Sequence, residues 1–136
     1  MDSDSTNINV GKIVAYWITT SKEDLDTMQS LYHSNSFHWS LFLGHLTLEK
    51  LLKALYVKTH HQHAPFIHNL FRLTELCQIK EISDDYADWL DKITSFNLNA
   101  RYDDYKRDFY HQCTPQFTKE WIEKIKILRE WIGQML

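Results

Sequence analysis

At 136 residues the chain is long enough for one hydrophobic core and too short for two domains of ordinary size; by size scaling it buries on the order of two-thirds of its unfolded surface. A net charge of −3 with a pI near 6.2 excludes the overall basic footprint of a protein that grips long nucleic acid without sequence preference, and extended nucleic acid is not an expected partner. Only three Gly and two Pro, against an aromatic share of 14% with five Trp, leave little turn chemistry for hairpins and favour helices.

Residues 1–8 are polar and acidic, without the basic start and apolar run of a signal peptide, and read as a flexible tail of a single domain over 1–136. No segment has ~18 uninterrupted apolar residues, so a cytoplasmic protein with no membrane contact is expected. Cys77 and Cys113 lack CxxC spacing and fit free thiols in a reducing compartment.

Val10, Val14, Trp17, Leu25, Met28 and Tyr32 recur at multiples of three or four, with charges between them. This predicts a long first helix capped by Asn7 or Asn9. After Ser34-Asn35-Ser36, the stretch Phe37 to Val57 is the most apolar in the chain and predicts a central second helix. Its polar stripe of His45, Glu49 and Lys53, with Lys50 alongside, reads as an exposed i,i+4 pair or as part of a site. A surface this apolar also suggests self-association. His60, His61 and His63 fall in a polar stretch ended by Pro65. Zinc sites need four ligands in tetrahedral geometry and no cysteine lies nearby, so a solvated loop is expected here and no metal.

Leu70, Leu73 and Leu76 mark a short third helix from about His68-Asn69. Ser83-Asp84-Asp85 opens a fourth that runs towards Asn97. Thr114-Pro115 supplies a cap and a first-turn proline for the last helix, where Phe117, Trp121, Ile125, Leu128, Ile132 and Met135 repeat at fours and threes. The expectation is an all-α, five-helix up-and-down bundle with a polar loop before its last helix.

That loop, Asn99 to His111, concentrates three cations, three carboxylates, four aromatic rings and a histidine in thirteen residues. Arg101 offers a fork of donors to phosphate or carboxylate, and Tyr102 and Tyr105 offer ring faces and hydroxyls. Asp103, Asp104 and Asp108 offset Arg101, Lys106 and Arg107, so a mononucleotide or a protein partner fits better than an RNA strand. The structural alternative pairs Arg101 with Glu49 and locks the loop onto the bundle.

Ala15-Tyr16-Trp17 with Asp24-Leu25, Leu46 to Ala54 (LTLEKLLKA), His68-Asn69-Leu70 and Asn99 to Tyr105 (NARYDDY) together resemble the HEPN domain family, named for nucleotide binding in higher eukaryotes and prokaryotes. The resemblance implies a helical bundle that pairs into a homodimer, is often encoded beside a minimal nucleotidyltransferase, and acts in toxin–antitoxin or defence systems. Other members are metal-independent endoribonucleases with an arginine, four to six intervening residues and a histidine. Here Lys106, Arg107 and Asp108 occupy those positions after Arg101, the first histidine is His111, and only three residues separate Arg107 from His111. A general acid–base step worth ~10²–10⁴-fold loses its carrier. The expectation is therefore a non-catalytic HEPN module without cofactor, binding a nucleotide or a nucleotidyltransferase through Arg101, Tyr102, Tyr105, Lys106 and Arg107 with Glu49, Lys50 and Lys53. The alternatives are an endoribonuclease using Arg101 and His111, or a purely structural dimerisation domain.

Overall fold

The computed structural model describes residues 8–136. Among the described residues the chain forms six helices and no strand: α1 (Val10–His33), α2 (Phe37–His60), α3 (Leu70–Leu76), α4 (Asp84–Arg101), α5 (Asp103–Gln112) and α6 (Pro115–Gly133). Four begin as their sequence dictates, with the side chains of Asn9, Asn69, Ser83 and Thr114 accepting backbone N–H bonds from the first turn. Asn7 and the expected tail at 1–7 lie outside the described residues.

With almost no glycine available, three helices end on polar residues in the left-handed region: Asn35 (φ 65°), His61 (φ 54°) and Gln78 (φ 62°). Each of these tolerates that conformation at a cost of roughly 1–2 kcal/mol. His61 closes α2 by donating its N–H to the Val57 carbonyl at 2.8 Å, a full turn of chain before Pro65.

Helix α2 runs through the middle of the molecule and touches all five others. Met28 from α1, Leu41, Leu48 and Leu52 from α2, Leu70 and Leu73 from α3, Leu90, Ile93 and Phe96 from α4, and Ile125, Leu128 and Ile132 from α6 are wholly buried. The apolar surface of α2 that suggested self-association is thus covered within the chain. Gly44 of α2 packs directly against α6 and α1; a Cβ there would run into the Ile125 side chain and meet Met28 Sδ at 3.2 Å. The α1–α2 pair is stapled by reciprocal bonds, Ser21 Oγ to the Thr47 carbonyl and Thr47 Oγ1 to the Ser21 carbonyl, both 2.7 Å.

One expectation needs correcting: the polar loop before the last helix is itself a helix, α5. Its sequence reads as a loop because only Phe109 of its ten residues is buried, so it carries no apolar stripe. Phe109 stacks on Phe96 with ring centroids 5.3 Å apart and ties the helix to the core. Cys113, just beyond its end, is buried too, and burial pushes its thiol up to about 12.

Candidate functional site

Helix α4 ends at Arg101, and Tyr102 (φ −89°, ψ 131°) is an extended hinge that closes α4 and opens α5. Asp103 and Asp104 then fill the first turn of α5, at the positive end of its dipole. Asp103, Lys106, Arg107 and Tyr110 are spaced by three, one and three residues and so share a helix face. Across from them His38, in the first turn of α2, completes the lining of an open cleft of about 550 Å³.

The α2 wall of this region is aromatic. Lys106 Nζ lies 5.6 Å from the Trp39 ring centroid. The Arg101 guanidinium lies 6.0 Å from the Phe42 ring and 5.4 Å from that of Tyr102, while its Nε donates to Asn97 Oδ1 at 2.8 Å. His38 packs edge-on against Tyr110, with centroids 5.2 Å apart. Among the described residues none of Arg101, Lys106 and Arg107 is in an ion pair. Cations held against ring faces and unmatched by a carboxylate keep their charge and their donors for an anion from solution.

Three lining residues are not among those expected at the site: Asp103 and Tyr110, which fall within the stretch Asn99 to His111, and His38, which falls outside it. The His38 Nδ1 is shut away from solvent without a partner among the described residues, and the His38 pKa is lowered, first by burial and then by the Lys106 charge. No spacing in the sequence marks it: it stands far from the α5 cations in an apolar run, and only the fold brings it to α5. A second cleft of about 460 Å³, lined by Asn35, Phe37, His38, Tyr110, His111, Cys113 and Pro115, adjoins the first and shares His38 and Tyr110 with it.

The other residues expected at the site lie elsewhere. Tyr105 faces a separate depression with Asn99, Asp108, Phe109 and Gln112. Lys50 bridges to Asp24 of α1 at 2.7 Å. Glu49 and Lys53 do form the expected pair, at 2.9 Å, but each side chain is only 7% exposed, so the pair is buried rather than solvated. Arg101 makes no bond to Glu49. The carboxylate is already claimed: Oε2 by Lys53 and Oε1 by His68 Nδ1, at 2.9 Å, with His45 Nδ1 3.8 Å away. Burial pushes the Glu49 carboxyl up, but the hydrogen bonds from His68 and Lys53 outweigh it and hold the pKa below the ordinary value. His45 donates through Nε2 to the His68 carbonyl at 2.8 Å, and burial keeps it neutral by lowering its pKa. This cluster fastens the segment after α2 to the middle of the bundle.

The histidines after α2 do not converge. His60 Nε2 donates to the Leu76 carbonyl at 2.7 Å, His61 is the helix-ending residue, and His63 is exposed. Among the described residues no group of three or more His, Cys, Asp or Glu side chains is placed to hold a metal ion. None of the described helices is long and apolar enough to cross a membrane.

The sequence model of the HEPN domain matches residues 14–135, nearly the whole chain. The chain belongs to the HEPN domain family. As a HEPN domain it is, in general terms, a module of nucleotide-binding or ribonuclease type. No curated protein matches it. Among solved structures it is similar to the protein TT1696 from Thermus thermophilus, with a TM-score of 0.78 and 15% identity over 90% of this chain and 98% of that one; at that identity the likeness shows the shared fold. In this HEPN domain Arg101 ends α4 while His111 sits in the last turn of α5, a rise of ~12 Å along the intervening helix. His111 lines the second of the two clefts and Arg101 lines neither.

Proposed function

We propose that this HEPN domain binds a nucleotide, without turning it over, in the cleft between the first turn of α2 and the exposed face of α5. The observation that carries the reading is the pair Lys106 and Arg107. Both line the open cleft, and neither has a carboxylate partner among the described residues. Phosphate oxygens would meet these two donors, Arg107 with the fork that suits them. The half-exposed rings of Tyr110 and Tyr102 offer faces to a base. Arg101, at the end of α4, adds positive potential. Asp103 on the same face favours a small ligand with sugar hydroxyls over a polyanionic strand.

The non-catalytic half of the reading rests on the absent arginine-to-histidine spacing. An endoribonuclease built on Arg101 and His111 would need the two together on one phosphate, across the ~12 Å that α5 interposes. A nucleotidyltransferase encoded alongside, in a toxin–antitoxin or defence setting, is the protein partner that the family resemblance implies. Leu98, Tyr102 and Tyr105, each between 44% and 51% exposed, would supply apolar contact area to it or to a second copy of the chain.

Calorimetry with AMP, ADP, ATP and GTP tests the reading. Binding that weakens in Lys106→Ala and Arg107→Ala is the expected result. If no nucleotide binds and a co-encoded nucleotidyltransferase is not captured either, the reading fails and a structural domain remains. Sedimentation at micromolar concentration decides between dimer and monomer.

A further inference from the structure

Phosphate binding by Lys106 and Arg107 does not by itself call for a histidine, yet His38 stands where their cleft meets its neighbour and lines both. Its surroundings fix which end of the ring can work. Nδ1 is closed off from solvent and has no hydrogen-bond partner among the described residues. A proton there would be a buried N–H without an acceptor, which proteins avoid more strictly than an unmet lone pair. The proton of the neutral ring therefore belongs on Nε2, the nitrogen that is not closed off, and the ring as a whole packs against Tyr110.

We propose that His38 is a phosphate-binding residue of this site, donating from Nε2–H as a neutral imidazole at the seam of the two clefts. The inference rests on the nucleotide reading and deepens it. The ligand it implies carries a phosphate chain, such as a nucleoside diphosphate, that extends from Lys106 and Arg107 to the seam. Each charged or titratable group around the ring is consistent with a donor that stays neutral. From α5, Lys106 and Arg107 oppose a further positive charge; Asp103 lines the first cleft and His111 the second, and of these charges it is Lys106 that acts on the ring. The turn before α2 contributes only Asn35, and the Cys113 thiol, pushed up to about 12 by burial, stays protonated. Burial and Lys106 lower the His38 pKa, in keeping with this arrangement.

The test compares ADP binding to the full chain with binding to His38→Phe, His38→Gln and Lys106→Ala between pH 5.5 and 8.5. Phenylalanine keeps the ring contact and removes the donor; glutamine restores an N–H at about the Nε2 position. Loss of one hydrogen bond to a charged group predicts roughly 10-fold weaker binding for His38→Phe, with His38→Gln recovering to within about threefold of the parent. The ratio of parent to His38→Gln affinity cancels the pH dependence that the two proteins share, and it should stay flat with pH. A ratio that climbs as pH falls would show His38 acting as a cation and overturn the proposal. So would unchanged binding in His38→Phe while Lys106→Ala weakens it, which leaves the nucleotide reading standing. No binding of ADP by the parent chain defeats both. Ring ¹⁵N shifts at pH 7 give an independent reading on the free protein: protonated Nε2 with bare Nδ1 is expected, and the opposite tautomer overturns the assignment.

Discussion

Two sets of charged and titratable side chains in this molecule are in opposite physical states. Glu49, Lys53 and His45 of α2 are buried, Glu49 is paired with Lys53, and the exposed His68, from beyond α2, bonds the same carboxylate. At the α4–α5 junction, Arg101, Lys106 and Arg107 have no carboxylate partner among the described residues, and Arg101 and Lys106 rest on aromatic rings. Both carboxylate oxygens of the first set are claimed, which makes that set structural; the cations of the second are unclaimed and therefore available. Charge content alone does not separate them, because pairing and burial decide what a charge is free to do.

The comparison breaks first at Glu49. Glu49→Ala leaves Lys53 buried and unpaired, so urea unfolding should show a loss of about 3 kcal/mol or more, while the folded fraction still binds nucleotide normally. A loss under about 1 kcal/mol would make the pair an ordinary surface one. Acid attacks the same cluster. His45 has a folded pKa below its ordinary 6.5, so its contribution is complete above pH 6.5 and the unfolded chain takes up the extra proton as pH falls below it. Glu49, held below its ordinary 4.5, is lost in the same direction from about pH 4.5 downward. The melting temperature should therefore drop on acidification from neutrality in two stages; a flat profile from pH 7 to 5 would contradict the buried neutral His45.

The α5 set should respond in the converse way. Arg107→Ala and Lys106→Ala should each weaken ADP binding by roughly 10-fold, since each removes a charge-assisted bond worth about 1.5 kcal/mol or more. Stability should change by no more than about 0.5 kcal/mol, as at other exposed positions. Arg101→Ala should have the smallest effect on binding, because its Nε is committed to Asn97. A destabilisation above about 1 kcal/mol there would revive a locking role for Arg101.

The helices with strong periodicity are legible from the sequence, together with their caps at Asn9, Asn69, Ser83 and Thr114, because apolar spacing and capping chemistry are local. What escapes is not local. Helix α5 has one buried residue, so its anchor is the Phe109–Phe96 stack across the core, which no spacing reveals. Glu49 looks available to Arg101 in the sequence because nothing local shows His68, nineteen positions on, folding back onto it. His38 is hidden for the same reason. Half of the cleft, the α5 cations, can be read from the chain, and the α2 wall cannot.

The most direct measurement is an amide and side-chain NMR titration of the full chain with ADP. The account predicts shifts confined to His38, Asp103, Lys106, Arg107, Tyr110 and their immediate neighbours, with His45, Glu49, Lys53 and His68 unmoved. Shifts centred on the Glu49 cluster, or none up to millimolar ADP, would contradict it.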